Sequence, residues 1–378
     1  MKFAFALFTY FPYGGLTRDL LAIAQACRRR GHRVRVYARE CRGEVDAQID
    51  LQLLPAKART NHGRDRAFAA QLTSATAAFA PDLAVGFNKM PHLDAYYAAD
   101  GCFAHKSRAR GLLYRMTPRC WHFLAFERAV FAPQSATEVL MISPVQSRVY
   151  RDFYRTPRER MHQLAPGIAR DRIAGDDAPD RRARFRRQWN LRADDKLLLA
   201  LGSGFRTKGL ERTIAALASL PTALRARARL FVVGDDRAAP FERIARRLGV
   251  RAQVDFVGGR DDVPEFLLGA DLLLHPAHRE NTGTALLEAI VAGLPTVATD
   301  VCGYAHYVRD AAMGEVLASP FAQSALNDAV ARLLESERDA WRIRGRDFAQ
   351  HADIYDLPSH ACDRLEAIAR AIGRTRCA

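Results

Sequence analysis

Short apolar runs alternate with amphipathic stretches along nearly the whole chain, and that rhythm leaves few folds open. Lys2–Phe8 reads as a buried strand. Leu16–Arg30 follows as a helix with Leu16, Leu20, Ile23, Ala24 and Cys27 on one face, and Val34–Tyr37 resumes as strand. Gly31 comes directly after three arginines, where a glycine stop and cations favoured by the helix dipole belong. Strand–helix–strand alternation predicts a parallel sheet with helices on both faces.

The rhythm restarts after the charge-rich passage Arg170–Gln188. Leu197–Leu201 reads as strand, Glu211–Leu220 as helix, Leu230–Val233 as strand and Phe241–Leu248 as a helix closed by Gly249. Val254–Val257, Leu272–Leu274 and Thr296–Ala298 continue as strands. For 378 residues this predicts two doubly wound domains, 1–168 and 169–350, with a helical segment 351–378 packing back on the first. Open parallel sheets bind ligands beyond the carboxyl ends of their strands, so the loops there are where chemistry is expected.

Composition sets limits. With 49% hydrophobic and 26% charged residues the chain is not disordered, and no apolar run approaches the roughly 18–20 residues of a membrane span. Met1–Phe8 carries one basic residue and no small-x-small cleavage site, so a first strand is expected rather than a signal peptide. The seven cysteines form no CxxC pair and have no histidine cluster at zinc spacing, so reduced thiols are expected and a metal is not. A net charge of +15 suits nucleic acid, anionic membrane or phosphorylated substrates alike, or a merely basic surface.

Three motifs stand at predicted strand ends. Gly14-Gly15 opens the first helix without a GxGxxG fingerprint, which removes a dehydrogenase reading and leaves either a tight turn or a phosphate or sugar contact. Gly202–Gly209 (GSGFRTKG) offers small residues and then two cations, Arg206 and Lys208, at a helix start, which suits a diphosphate. It lacks the spacing of an ATP-hydrolysing P-loop, because Gly209 follows the lysine. The third motif, His275–Ala289, ends a strand, carries Glu280 in a loop, starts a helix near Gly283 and places Glu288 in its second turn. An acid for sugar hydroxyls, a row of backbone donors and a second acid for ribose suit one ligand, a nucleoside-diphosphate sugar. Helix capping alone would account for Glu280 but leave Glu288 an ordinary surface residue.

Glu280 and Glu288, followed by Ala289–Val297 (AIVAGLPTV), resemble the signature of retaining glycosyltransferase family 4, as do Phe231–Gly234, Val254–Gly258 and Ala270-Asp271. Tyr10–Leu16, Thr60–Arg64, Val85–Pro91 and Val301–Tyr307 more narrowly resemble the glucosyltransferases of the lipopolysaccharide core. The resemblance implies an α/β GT-B fold of two facing Rossmann-like domains with parallel sheets and an interdomain cleft, the acceptor on 1–168 and the nucleotide sugar on 169–350. It implies UDP-glucose as donor, an inner-core heptose of lipopolysaccharide as acceptor, no cofactor and a cytoplasmic enzyme at the inner face of the inner membrane. Glu280 would hold donor-sugar hydroxyls and Glu288 the ribose. Asn281, Thr282, Gly283, Thr284, Ala285 and Leu286 would give backbone amides to sugar and diphosphate. Lys208 and Arg172 would neutralise the diphosphate, Arg260 and Asp261 would frame uracil, and Gly15 would approach the donor with Asp19 and Asp100 nearby. The chain departs from the family where Ser203 replaces an arginine, for which Arg206 is the substitute, and where Asp100 stands near a usual histidine.

Family resemblance favours front-face displacement assisted by the leaving phosphate, and no Asp-x-Asp motif calls for a bridging metal. Phe103–Phe131 carries Lys106, Arg108, Arg110, Arg115, Arg119 and Arg128 among six aromatic residues, with Glu127 its one acid. That mixture suits anionic lipid, single-stranded nucleic acid, or a solvated basic face over an aromatic core. The implied lipid-anchored acceptor selects the membrane surface and not nucleic acid. The alternatives are a family 4 transferase with a different nucleotide-sugar donor or acceptor and, from the charge, a polyanion-binding protein without enzymatic activity.

Overall fold

A computed structural model describes residues 1–12, 14–108 and 110–377, without side chains for 375–377. Tyr13 of the first glycine motif and the Cys377 thiol therefore lie outside the described residues. The chain divides into two compact units, Met1–Gly167 with Asp356–Ala378, and Ile168–Tyr355.

Among the described residues the first unit holds a seven-stranded sheet: β1 (Lys2–Tyr10), β2 (Arg33–Cys41), β3 (Asp50–Leu53), β4 (Leu83–Gly86), β5 (Ala95–Ala98), β6 (Glu138–Met141) and β7 (Met161–Gln163). Its order is β3-β2-β1-β4-β5-β6-β7, and every pairing is parallel. Strand β1 is apolar from Phe3 to Phe8 because both its faces are covered. Phe3, Phe5 and Leu7 pack with Leu20, Ile23 and Cys27 of helix Gly15–Arg29, whereas Ala4 and Ala6 face Phe68 and Leu72 of helix Asn61–Phe79. The terminal helix Leu357–Cys377 returns to the first of these layers, inserting Ala361, Cys362, Leu365 and Ile368.

The second unit repeats the plan with β8 (Lys196–Leu201), β9 (Ala228–Val233), β10 (Val254–Gly258), β11 (Leu272–His275), β12 (Thr296–Thr299) and β13 (Gly314–Leu317). All pairings are parallel in the order β10-β9-β8-β11-β12-β13. In β8, Leu197 and Leu199 belong to one core layer and Leu198 to the other. The sequence places the borders at 168/169 and 350/351, but residues 351–355 stay with the second unit. Ile354 is fully buried in its core, the Ile354 carbonyl accepts the Ile168 amide at 2.9 Å, and Arg170 lies 4.3 Å from the Tyr355 ring centroid.

Asp271, directly before β11, ties the amino-terminal edge of this sheet together. Its carboxylate accepts the Leu197 amide at 2.7 Å and meets Arg182 at 2.5 Å, Arg186 at 3.3 Å and Arg338 at 3.7 Å. These arginines come from helix Ala178–Gln188 and helix Arg338–His351, so one carboxylate secures two helices. Burial would raise the Asp271 pKa, but Arg182, the Leu197 amide and the other two guanidinium groups outweigh it and hold it below the ordinary value. Removing one partner of a buried ion cluster strands the others without compensation. Asp271→Ala should therefore destabilise the protein by about 3–5 kcal/mol, measured by urea unfolding. Because the native pKa is lowered, the contribution is complete above about pH 4 and is lost as pH falls through the folded value.

Candidate functional site

The order of the second sheet places β8 beside β11, and the chain leaves this pair in opposite directions to reach β9 and β12. A crevice opens at such a switch point, beyond the carboxyl ends of the two strands. Here it lies between the loop after β8, residues 202–209, and the loop after β11, residues 276–283.

The loops approach closely enough to demand glycine. Gly209 has φ +72°, and a Cβ there would fall 2.1 Å from the Pro276 carbonyl oxygen. The His278 amide donates to the Thr207 carbonyl at 2.9 Å, and Arg212 reaches the Pro276 carbonyl at 3.1 Å. At Gly202, φ +105°, a Cβ would lie 2.9 Å from Lys208 Cε, so the missing side chain makes room for the lysine stem.

Within this frame Lys208 Nζ lies 2.8 Å from Glu280 Oε2, and His275 Nε2, at the end of β11, lies 3.2 Å from the same oxygen. The other oxygen, Oε1, accepts the Asn281 amide at 3.2 Å. Burial would raise the Glu280 pKa, yet the hydrogen bond from His275 and the charge of Lys208 prevail, and the carboxyl is pushed down to about 2. Burial lowers the His275 pKa against the opposing pull of Glu280. A neutral imidazole donating Nε2–H to a permanent carboxylate satisfies both. Glu280 and Lys208 stay 18% and 25% exposed, so the pair can be reached from solvent.

Helix Thr284–Val291 begins beside this pair after Gly283, whose φ is +85°. The helix start directs backbone donors and positive dipole toward the crevice. Not every amide of 281–286 is available as the sequence suggests. Asn281 donates to its neighbour Glu280, and Leu286 donates to the Gly283 carbonyl at 2.9 Å because the first turn is tight. The Thr282 carbonyl accepts the Tyr304 amide at 2.8 Å, and the amides of Thr282, Gly283, Thr284 and Ala285 stand at the helix start.

Arg172 meets Glu288, Nε to Oε1 3.7 Å, so the structure joins the second acid to the second cation. Arg206 is exposed and lines a surface hollow of about 540 Å³ with Glu211, Phe241 and His278. Ser203, where the family has an arginine, accepts the Asp235 amide at 3.1 Å. Arg260, past β10, pairs through two 2.7 Å contacts with Asp262, while its neighbour Asp261 is exposed.

In the first unit the corresponding strand ends are those of β1 and β4, where the Phe8 amide donates to Asn88 Oδ1 at 2.8 Å. Gly15 opens its helix exposed, with nothing within 4 Å of an added Cβ. Asp19 accepts the Tyr97 hydroxyl at 2.9 Å, and burial raises its carboxyl pKa. Asp100 is exposed beyond β5, and its carbonyl accepts the Tyr150 hydroxyl at 2.9 Å.

The 103–131 segment separates into helices Phe103–Arg108, Leu112–Arg115 and Pro118–Phe131. Its aromatic residues do not all face outward: Phe126 and Phe131 are core, and only Trp121 among the six is exposed. The exposed apolar side chains are instead Leu112, Leu113, Met116 and Trp121, at 70%, 85%, 62% and 62%. Glu127 is fully buried and accepts Lys89 Nζ and the Phe103 amide at 2.6 Å, the Ala104 amide at 2.8 Å and the Tyr154 hydroxyl at 2.9 Å.

His275 is the site residue that the sequence reading left unassigned, although an apolar strand ending on a histidine was the available signal. Since its native pKa is lowered, the unfolded chain binds the extra proton, and stability falls as pH drops below about 6.5. His275→Asn should reduce that loss by about 1 kcal/mol between pH 7.5 and 5.5, compared by urea titration of both proteins.

Comparison with known proteins agrees with this geometry. Residues 181–348 match the family model for glycosyl transferases group 1, and residues 13–172 match that for glycosyltransferase family 4. The chain is 45% identical over 366 residues to the lipopolysaccharide glucosyltransferase WaaG of Escherichia coli (strain K12), covering 96% of this chain and 98% of that protein. A crystal structure of WaaG superposes with a TM-score of 0.88 at 44% identity, over 96% of this chain and 99% of that one. Anabaena HepE in complex with UDP-glucose has a TM-score of 0.67 at 18% identity over 100% and 99% of the two chains, a likeness of fold alone. With its two parallel-sheet units and these matches along both of them, the chain has the GT-B fold and belongs to the group 1 and family 4 glycosyltransferases.

Proposed function

We propose that this enzyme transfers glucose from UDP-glucose to an inner-core heptose of lipopolysaccharide, with retention at the anomeric carbon. The observation that carries this reading is the Lys208–Glu280 pair, set by His275 at the β8–β11 switch point. The 45% identity to a lipopolysaccharide glucosyltransferase supports the choice of sugar and acceptor.

In this reading Glu280, held ionised, accepts hydroxyls of the donor glucose. Lys208 turns toward the diphosphate, whose negative charge grows as its bond to the anomeric carbon breaks. Thr282, Gly283, Thr284 and Ala285 add backbone donors, and Glu288 holds the ribose with Arg172 beside it. Arg260 and Asp261 border the uracil. The acceptor hydroxyl enters on the face that the diphosphate leaves, and its proton passes to a departing phosphate oxygen. Asp19, in helix Gly15–Arg29, and Asp100, beyond β5, take the acceptor side. Lys208 supplies the cationic role, so transfer needs no divalent metal.

Glu280→Ala and Lys208→Ala should each lower kcat/KM for UDP-glucose by about 100-fold or more while leaving the unfolding midpoint near that of the parent. Product formation by the parent enzyme should survive exhaustive chelation. Unchanged UDP-glucose binding in both variants would sink the assigned site.

The enzyme works at the inner face of the inner membrane, from the cytoplasm, on a lipid-anchored acceptor. Exposed Leu112, Leu113, Met116 and Trp121 among Arg110, Arg115 and Arg119 support this, since apolar side chains ringed by cations suit an anionic lipid surface. Among the described residues no helix is long and apolar enough to cross a membrane. Replacing Lys106, Arg108 and Arg110 together by Gln should weaken sedimentation with anionic vesicles by about 10- to 100-fold, at about 1 kcal/mol per cation. Turnover of a detergent-dispersed acceptor should persist.

A further inference from the structure

At the amino-terminal edge of the first sheet, His32, Cys362 and Glu366 come together although more than three hundred positions separate the first from the other two. His32 precedes β2, while Cys362 and Glu366 stand one turn apart on helix Leu357–Cys377. One ligand atom from each, a ring nitrogen, a thiol sulfur and a carboxylate oxygen, lies within 4.8 Å of the other two. His32 Nε2 is 2.8 Å from Glu366 Oε1, and Cys362 Sγ is 3.9 Å from that oxygen. Cys362 is fully buried, whereas His32 and Glu366 keep 12% and 13% exposure, so the cluster is dry at its base and open at its rim.

We propose that His32, Cys362 and Glu366 form a binding site for a borderline-soft divalent cation of the Zn²⁺ class, clipping the last helix to the start of β2. The donor set selects this class: thiolate and imidazole favour Zn²⁺, while Ca²⁺ and Mg²⁺ take oxygen ligands. Tetrahedral bonds of about 2.3 Å to sulfur and about 2.0 Å to nitrogen and oxygen set donor separations of about 3.3–3.5 Å, so the His32 nitrogen and Glu366 oxygen must part by about half an ångström while the sulfur closes in by about as much. One thiolate and one carboxylate match a 2+ charge, and the Cys362 proton leaves to solvent on binding. Cys27 is buried in the same core layer as Cys362, on the apolar side of the cluster. Arg30, whose Nη1 lies 3.5 Å from Glu366 Oε1, yields that oxygen to the metal and keeps Asp363 as partner, while Arg370 holds the other oxygen, Oε2, at 2.7 Å. The cysteine spacing conceals this site because its ligands come from opposite ends of the chain. Its ligands all belong to the first unit, whereas the nucleotide-sugar loops belong to the second, and it is separate from the metal-free transfer proposed above.

The test is a Co²⁺ titration of the full-length, reduced and metal-stripped protein. One equivalent should bind with a near-ultraviolet thiolate-to-cobalt charge-transfer band, and Zn²⁺ should bleach it. Cys362→Ser should abolish the band. His32→Gln, a change at the rim, should weaken binding by about tenfold or more without altering the metal-free unfolding midpoint. Zn²⁺ should raise the thermal midpoint of the parent and of neither variant, as expected for a ligand that binds only the folded state. UDP-glucose turnover should be the same in His32→Gln as in the parent, which keeps this test independent of the donor site. The absence of a saturable cobalt spectrum in the reduced parent, or an identical spectrum and affinity in His32→Gln, would overturn the proposal.

Discussion

A carboxylate at the end of a buried strand cannot keep its charge without a partner, and the second unit is arranged around that constraint. Glu280 remains ionised because His275 donates to it from β11 and Lys208 faces it across the switch point. The pair forms only if the loops after β8 and β11 touch, which they do where Gly209 leaves no room for a Cβ against Pro276. Glycine, histidine, lysine and glutamate are thus one device. The glycine permits contact, the histidine sets the carboxylate, and the lysine balances its charge.

The two ends of β11 use the same residue chemistry for different purposes. Asp271 is enclosed by three guanidinium groups and a strand amide, all directed at it, and has little capacity left for a ligand. Glu280 has a flexible ammonium partner and partial exposure. Arginine, planar and rich in donors, locks its carboxylate, whereas lysine is a point charge that can turn away at low cost. The sheet is therefore rigid at its amino edge and exchangeable at its carboxyl edge, the combination that binding with turnover requires.

Much of this was legible in the sequence for specific reasons. Strands β1 and β8 are apolar on both faces, which only a covered parallel sheet demands, and the glycines and acids of 202–209 and 275–289 stand where such a sheet binds ligands. The 103–131 segment was legible only in outline. Its charge was plain, but helix Pro118–Phe131 turns Phe126 and Phe131 inward, while Leu112, Leu113 and Met116 are the apolar groups left outside. Composition counts side chains and cannot say which way a helix faces.

The sequence by itself determined the alternation of elements and the placing of the glycine-, lysine- and glutamate-bearing loops at strand ends, because periodicity and local turn chemistry are short-range properties. Only the tertiary structure decided that His275 governs Glu280, that Arg172 belongs with Glu288, that Leu286 spends its amide on its own turn, and that Cys362 meets His32. Two of these pairings, Arg172 with Glu288 and Cys362 with His32, join segments distant along the chain, while the local ones depend on loop conformation such as the φ of Gly283. Packing, rather than propensity, selects which charges and donors meet.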